Sequence, residues 1–176
     1  MSSIVISGDT SGAVTLAVPA VAGTNTITVP AATGTMMVSG NMPAFSAYLS
    51  GSAQTVSTAW TKLACNTKEF DTNSNYDNST NFRFTPTVAG YYQASMGFSI
   101  GGGYGGLVSG GIYKNGTIYK QFAYQNSTWY DFSGSCLVYC NGTTDYIEAW
   151  GFINTNTTFG TGISNTYFQA SMVRSA

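Results

Sequence analysis

The chain has no histidine, so any acid–base or metal chemistry must come from its carboxylates. Without an imidazole, neither a histidine-based triad nor a histidine metal site is open to it. Seven acidic residues remain, and the pairs nearest in sequence are Asp71 with Asp77 and Asp145 with Glu148. Two carboxylates flanking one bond are what glycoside hydrolysis requires. Here they stand among Asn, Ser, Thr and Gly, the residues that build turns, and read as turn and loop carboxylates. Asp71, Asp77 and nearby Asn side chains would offer calcium the oxygen ligands it takes, but no dense acidic cluster accompanies them. The run Gly101-Gly102-Gly103-Tyr104-Gly105-Gly106 would cradle a phosphate only ahead of a helix, and no helical pattern follows it. The expectation is therefore no catalytic residue, no metal and no cofactor: a protein that binds and does not turn over substrate.

The binding chemistry available is aromatic. Tyr104, Tyr119, Tyr124, Trp129, Tyr130 and Trp150 fall in or near loops and late strands. Rings beside Asn and Thr can stack on sugars while the polar groups bond to hydroxyls, and Asn126, Trp129 and Tyr130 form the patch best suited to a glycan. The competing role is structural, since Tyr and Trp also fill sandwiches and subunit interfaces. Structure is the favoured reading.

Composition narrows the partners. Lys62, Lys68, Arg83, Lys114, Lys120 and Arg174 are scattered singly and the net charge is −1, so no basic patch exists to neutralise phosphates and nucleic acid is not an expected partner. Only 7% of residues are charged, against roughly 25% in ordinary domains. Even so, no apolar run approaches the ~20 residues of a spanning helix, and no membrane partner is expected. The start, Met1-Ser2-Ser3-Ile4-Val5, lacks the basic and apolar regions of a secretory signal. Cys136 and Cys140, placed on one strand, would lie roughly 13 Å apart, too far for a bridge. With Cys65 they read as free, mostly buried thiols of a protein made in a reducing cytoplasm.

These residues need a scaffold of strands. Thr, Val, Tyr and Phe suit pleated sheets, while Ser, Asn and Gly disfavour helix interiors. Residues 1–40 hold one charge, Asp9, and no aromatic residue. Within them Ala13–Ala20 aligns with Thr24–Ala31, both ending in Val-Pro-Ala. Such short bursts are too small to stand alone, so residues 1–40 read as a β-rich arm that anchors or trimerises, with Val18, Pro19, Ile27, Val29 and Pro30 as its anchoring residues. Residues 41–176 form the second domain. Strands are expected at 44–49, 55–65, 82–85, 91–99, 107–114, 117–124, 132–140, 144–151 and 165–173. Lys114-Asn115-Gly116-Thr117 and Cys140-Asn141-Gly142-Thr143 supply hairpin turns. Around Pro86 and Gly90, Phe82 and Phe84 precede a corner and Tyr92, Ala94, Met96 and Phe98 alternate after it; Gly90 is expected to supply a positive φ there. The fold class is all-β, an antiparallel sandwich.

Several of these segments resemble the globular head of the complement C-one-q family, a jelly roll related to tumour necrosis factor. Pro43-Ala44-Phe45-Ser46-Ala47 resembles its opening strand. Phe70-Asp71, Asn75-Tyr76-Asp77 and Phe84-Thr85-Pro86-Thr87-Val88-Ala89-Gly90-Tyr91-Tyr92 resemble its central signature. Ile112–Gly116 resembles its Lys-Asn-Gly hairpin, Ser133–Trp150 its Ser-Gly-Ser strand and following turn, and Thr166–Val173 its closing strand, with Ala170 where Gly is usual. The resemblance implies a homotrimer around a threefold axis. No Gly-X-Y stalk stands in residues 1–40. Residues 22–36 instead resemble β-rich segments of tailed-bacteriophage structural proteins. Together the two resemblances imply a virion surface protein, assembled in the host cytoplasm. Its expected role is capsid decoration, cement or head fibre, with the major capsid protein or other virion proteins as partners. The second reading is a tail-fibre tip that adheres to host glycans.

Overall fold

The computed structural model describes residues 3–28, 31, 33–34, 36–101, 106–122, 124–127 and 131–176. The chain divides into two compact units, Met1–Gly34 and Thr35–Ala176. In the first, β1 (Ser3–Ser7) and β2 (Ala13–Ala17) form an antiparallel hairpin with Ile4 opposite Leu16 and Ile6 opposite Val14. Gly12, at φ 78°, closes the turn, and the Gly8 amide donates to its carbonyl. The internal repeat does not fold as two equal units. Its first copy becomes β2 because residues 3–7 lie opposite it, whereas residues 24–28 of the second copy are irregular and exposed, with no strand beside them among the described residues.

The second unit is a sandwich of two antiparallel sheets. Its strands are β3 (Ala44–Tyr48), β4 (Gln54–Val56), β5 (Thr61–Lys62), β6 (Thr67–Asp71), β7 (Tyr76–Asp77), β8 (Arg83–Phe84), β9 (Gly90–Gly101), β10 (Gly106–Lys114), β11 (Thr117–Gln121), β12 (Gln125–Ser127), β13 (Asp131–Cys140), β14 (Ile147–Ile153), β15 (Thr157–Phe159) and β16 (Tyr167–Ser175). One sheet runs β11-β10-β14-β8-β7, with β12 on β10 and β5 on β14. The other runs β4-β15-β9-β16-β3-β6, with β13 on β9. Apart from the local pairs β7–β8 and β10–β11, most neighbours are distant in sequence, as jelly-roll connections require.

Period-two alternation decides what lies between the sheets. Tyr92, Ala94, Met96 and Phe98 of β9, Phe168, Ala170 and Met172 of β16, and Ile147 and Ala149 of β14 are all buried. Phe45 stacks on Tyr76 and Phe84 at 4.5 and 4.6 Å between ring centres, and Phe98 packs on Phe159 at 4.8 Å. The buried phenols keep partners: Tyr76 Oη donates to the Cys65 carbonyl and Tyr92 Oη to that of Val88, which removes the cost of an unpaired buried hydroxyl. All three cysteines are free. Burial pushes the Cys65 thiol up to about 12 and the Cys140 thiol to about 11, so both are unreactive core residues.

The corner differs from its expectation in two ways. Phe82 lies in a turn at φ 48°, and only Arg83–Phe84 pair as strand. The Asp77 carboxylate builds that turn by accepting the amides of Ser79, Thr80 and Asn81. Gly90 is not left-handed. It is needed because a Cβ would stand 2.4 Å from the Arg174 carbonyl oxygen of β16.

Candidate functional site: an uncovered sheet face

The two sheets turn very different outer faces to their surroundings. On the β10–β14 side, Tyr113 stands opposite Glu148, Gly111 opposite Trp150 and Ser109 opposite Phe152. Trp60, from the break between β4 and β5, lies over Gly111 and packs on Tyr113 and Phe152 at 5.9 and 5.7 Å. Trp150 is stacked on Tyr113 at 4.6 Å, with Lys62 Nζ 5.5 Å from its ring centre. The same Lys62 pairs with the buried Glu148, which also accepts from Trp150 Nε1. Arg83 caps Tyr146 at 4.4 Å. The centre of this side is thus a satellite cluster that the chain covers for itself, while towards β11 and β12 Ile118, beside Gly111, and Tyr124, edge-on to Phe152, remain 39 and 48% exposed.

The β6-β3-β16-β9-β13 face is built from the alternate residues of the same strands. Register places them in rows. Thr67, Tyr48, Tyr167, Gly97 and Ser133 form one row, and Phe70, Ser46, Gln169, Ser95 and Ser135 the next. Ala44, Ser171, Gln93 and Leu137 follow, and Arg174, Tyr91 and Tyr139 close that end. A register shift between Met172 and Arg174 puts Val173 and Arg174 together beside Tyr91. Leu137, Val173, Tyr91 and Tyr139 are 39 to 56% exposed, and Tyr91 and Tyr139 touch at 5.4 Å. The middle rows are hydroxyls and amides. Phe70 interrupts them, half-exposed, beside the bulge where Ser46 Oγ donates to Glu69 at 2.6 Å.

Two shallow depressions of about 270 and 220 Å³ lie on this face. Phe70, Gln93, Ser95 and Gln169 line the first, and Gly97, Ser133, Asn165 and Tyr167 the second. The Tyr167 ring lies directly over Gly97, where a Cβ would come within 2.6 Å of it. An apolar end, a polar middle and shallow relief make a surface suited to a protein partner rather than to an enclosed small molecule.

The carboxylate pairs singled out from sequence are each engaged separately. Asp71 accepts the amides of Asn75 and Tyr76 and pairs with Lys68 at 3.1 Å. Asp77 holds its turn, and amide bonds from Ser79 and Thr80 with the Asn81 side chain keep its carboxyl well below the usual range. Asp145 pairs with Lys114 at 2.8 Å and accepts from Asn115 and the Asn141 amide. The Lys114 bond leads in holding its pKa down. Asp145 therefore locks together the two Asn-Gly turns: Asn115 and Gly116 both have positive φ, and Gly142 sits at φ 73°, where a Cβ would also meet the Ala89 backbone. Among the described residues no three His, Cys, Asp or Glu side chains gather as a metal site.

Of the glycan patch, Asn126 lies on β12 with its backbone opposite Leu107, while Trp129 and Tyr130 lie outside the described residues. Of the arm's anchoring residues, Val18, Pro19 and Ile27 are exposed in the first unit, and Val29 and Pro30 lie outside the described residues. Tyr91, Leu137, Tyr139 and Val173 were not among the candidates. Their signal was present, since the odd positions 91–99 and 131–139 interleave with buried even ones. Alternation shows that two faces exist and not which one stays open.

No family model matches the chain, and no curated protein matches it in sequence. Solved structures do. Murine APRIL superposes with a TM-score of 0.58 over 75% of this chain and 99% of its own, at 6% identity. The globular domain of a zebrafish complement 1qA protein gives 0.57 over 76% and 98%, at 17% identity. Eiger TNF from S. frugiperda gives 0.57 over 77% and 95%, at 8% identity. The head is a tumour necrosis factor-like jelly roll. At these identities the likeness is one of fold. No helix among the described residues is long and apolar enough to cross a membrane.

Proposed function

We propose that the chain is a homotrimeric structural protein of a bacteriophage virion surface, acting by binding and without turnover. Three heads associate through the β6-β3-β16-β9-β13 face, and the Met1–Gly34 arm anchors them to the shell through Val18, Pro19, Ile27, Val29 and Pro30. The observation that carries the trimer is the apolar end of that face, where Tyr91, Leu137, Tyr139 and Val173 stand exposed together, while the rings at the centre of the other outer face pack on one another. Aromatic rings with a polar surround are what subunit interfaces favour. The virion location rests on the phage-like wording of residues 22–36 and on the aromatic-free, nearly uncharged arm.

Two measurements test the reading. Light scattering on the full chain should give the mass of three copies at micromolar concentration, and a monomer would refute the assembly. Particles lacking the protein should leak on heating or in low salt. Robust particles that no longer adsorb to cells would replace decoration with glycan adhesion as the function.

A further inference from the structure

The hairpin has two unlike faces. Cross-strand partners share a face, so Ile4, Leu16, Ile6 and Val14 line one side and Val5, Ser7, Ala13, Thr15 and Ala17 the other. The first side is wholly aliphatic, and its four residues are 48 to 64% exposed. Four adjoining side chains this exposed approach the largest apolar patch of an ordinary monomer, roughly 300–600 Å², on a two-stranded element. A two-stranded hairpin is marginal in water without a covering layer. We infer that three copies of β1–β2 pack these aliphatic faces against one another, so that the arm is a second trimerisation element with its own interface.

Three properties point to another copy of the hairpin as the occupant. The stripe is uncharged, and the arm's single charge, Asp9, lies in the turn beyond the strands, so identical stripes meet without like-charge repulsion. Two rows of β-branched and leucine side chains match an identical stripe in width and depth. The opposite face carries one large aliphatic residue, Val5, among Ser7, Ala13, Thr15 and Ala17, so the larger apolar surface is all on one side and a closed cluster covers it. This inference rests on the trimeric head, which holds the arms at millimolar effective concentration. It leaves Val18 and Ile27, beyond the stripe, for the shell.

Leu16→Cys and Thr15→Cys in the full chain place one thiol on each face of β2. A short bis-maleimide should join Leu16→Cys chains about tenfold faster than Thr15→Cys chains, because a linker this short spans thiols that face one another, and effective concentration collapses where it cannot span the sites. The unsubstituted protein supplies the background. A companion variant, Ile6→Asn with Val14→Asn, should expose residues 3–17 to protease while the trimer mass stays unchanged. Trimers whose two cysteine variants cross-link equally, or whose asparagine variant stays protected, would overturn the hairpin cluster and leave the head trimer standing. Monomers in the mass measurement would overturn both.

Discussion

The two outer faces of the head come from strands of one core, yet one is covered at its centre by its own rings and the other is left open at one end. On the β10–β14 side, Trp60, Trp150 and Tyr113 occupy one another, and Lys62 and Glu148 neutralise each other beneath them. On the β9–β13 side, Tyr91 packs on Tyr139, Lys114 Nζ lies 5.6 Å from the Tyr139 ring centre, and Leu137 and Val173 remain open. A face that its own chain covers adds to the stability of one subunit. A face left apolar becomes stable only when something else covers it.

Introducing charge on the open face should have the largest effect. Tyr91→Asp with Leu137→Asp should weaken association at least about a thousandfold, about 4 kcal/mol, because like charges would meet in a desolvated interface. Light scattering should then report single chains whose far-ultraviolet spectrum is unchanged. On the covered face the opposite pattern is expected. Glu148→Ala strands Lys62 and the Trp150 N–H and should cost about 3 kcal/mol in denaturant titration, with the oligomeric mass unaltered. Trp60→Ala should cost less, about 2 kcal/mol, since the ring is half-buried, again with no change in mass. If either covered-face variant dissociated the protein, the two faces would have been assigned the wrong way round.

The smallest effect is on pH. Asp77 and Asp145 both titrate below the ordinary carboxylate value of 3.8. Their contribution is complete above that value and is lost as pH falls below it toward their folded values. Thermal unfolding should therefore shift down only below about pH 4, and Asp145→Asn should flatten that dependence. The Asp77 and Asp145 turns lie in loops of the head, so this loss should appear in the dissociated variant as well as in the assembled protein.

The long strands were legible because they alternate. Tyr92 to Phe98, Phe132 to Cys140 and Phe168 to Met172 each show one buried set, and the Lys114–Thr117 turn announces itself through Asn115-Gly116. What escaped was local. Thr67–Asp71 carries a lysine and a glutamate and pairs with β3 through a bulge, which breaks the alternation a reader looks for. Thr157–Phe159 is too short to show a period. The stretch 55–65 divides because Trp60 leaves the ladder to cover Gly111. The role of Gly90 escaped for the same reason, since it is set by the Arg174 carbonyl eighty-four positions along the chain. The open face depends on which rings find neighbours across strands, a long-range fact that no window of sequence contains.

The register shift at Val173 has a consequence for how this protein can change. In a regular stretch of ladder, losing one codon from a strand would swap its core and outer residues and destroy the fold. Here the ladder already holds a surplus residue, so deleting Val173 would let Arg174 follow Met172 in regular register while its partner Tyr91 stays in place. One in-frame deletion would thus trim a single aliphatic group from the open face and spare the core. Natural variation and design could both use that position to adjust how firmly three heads hold together.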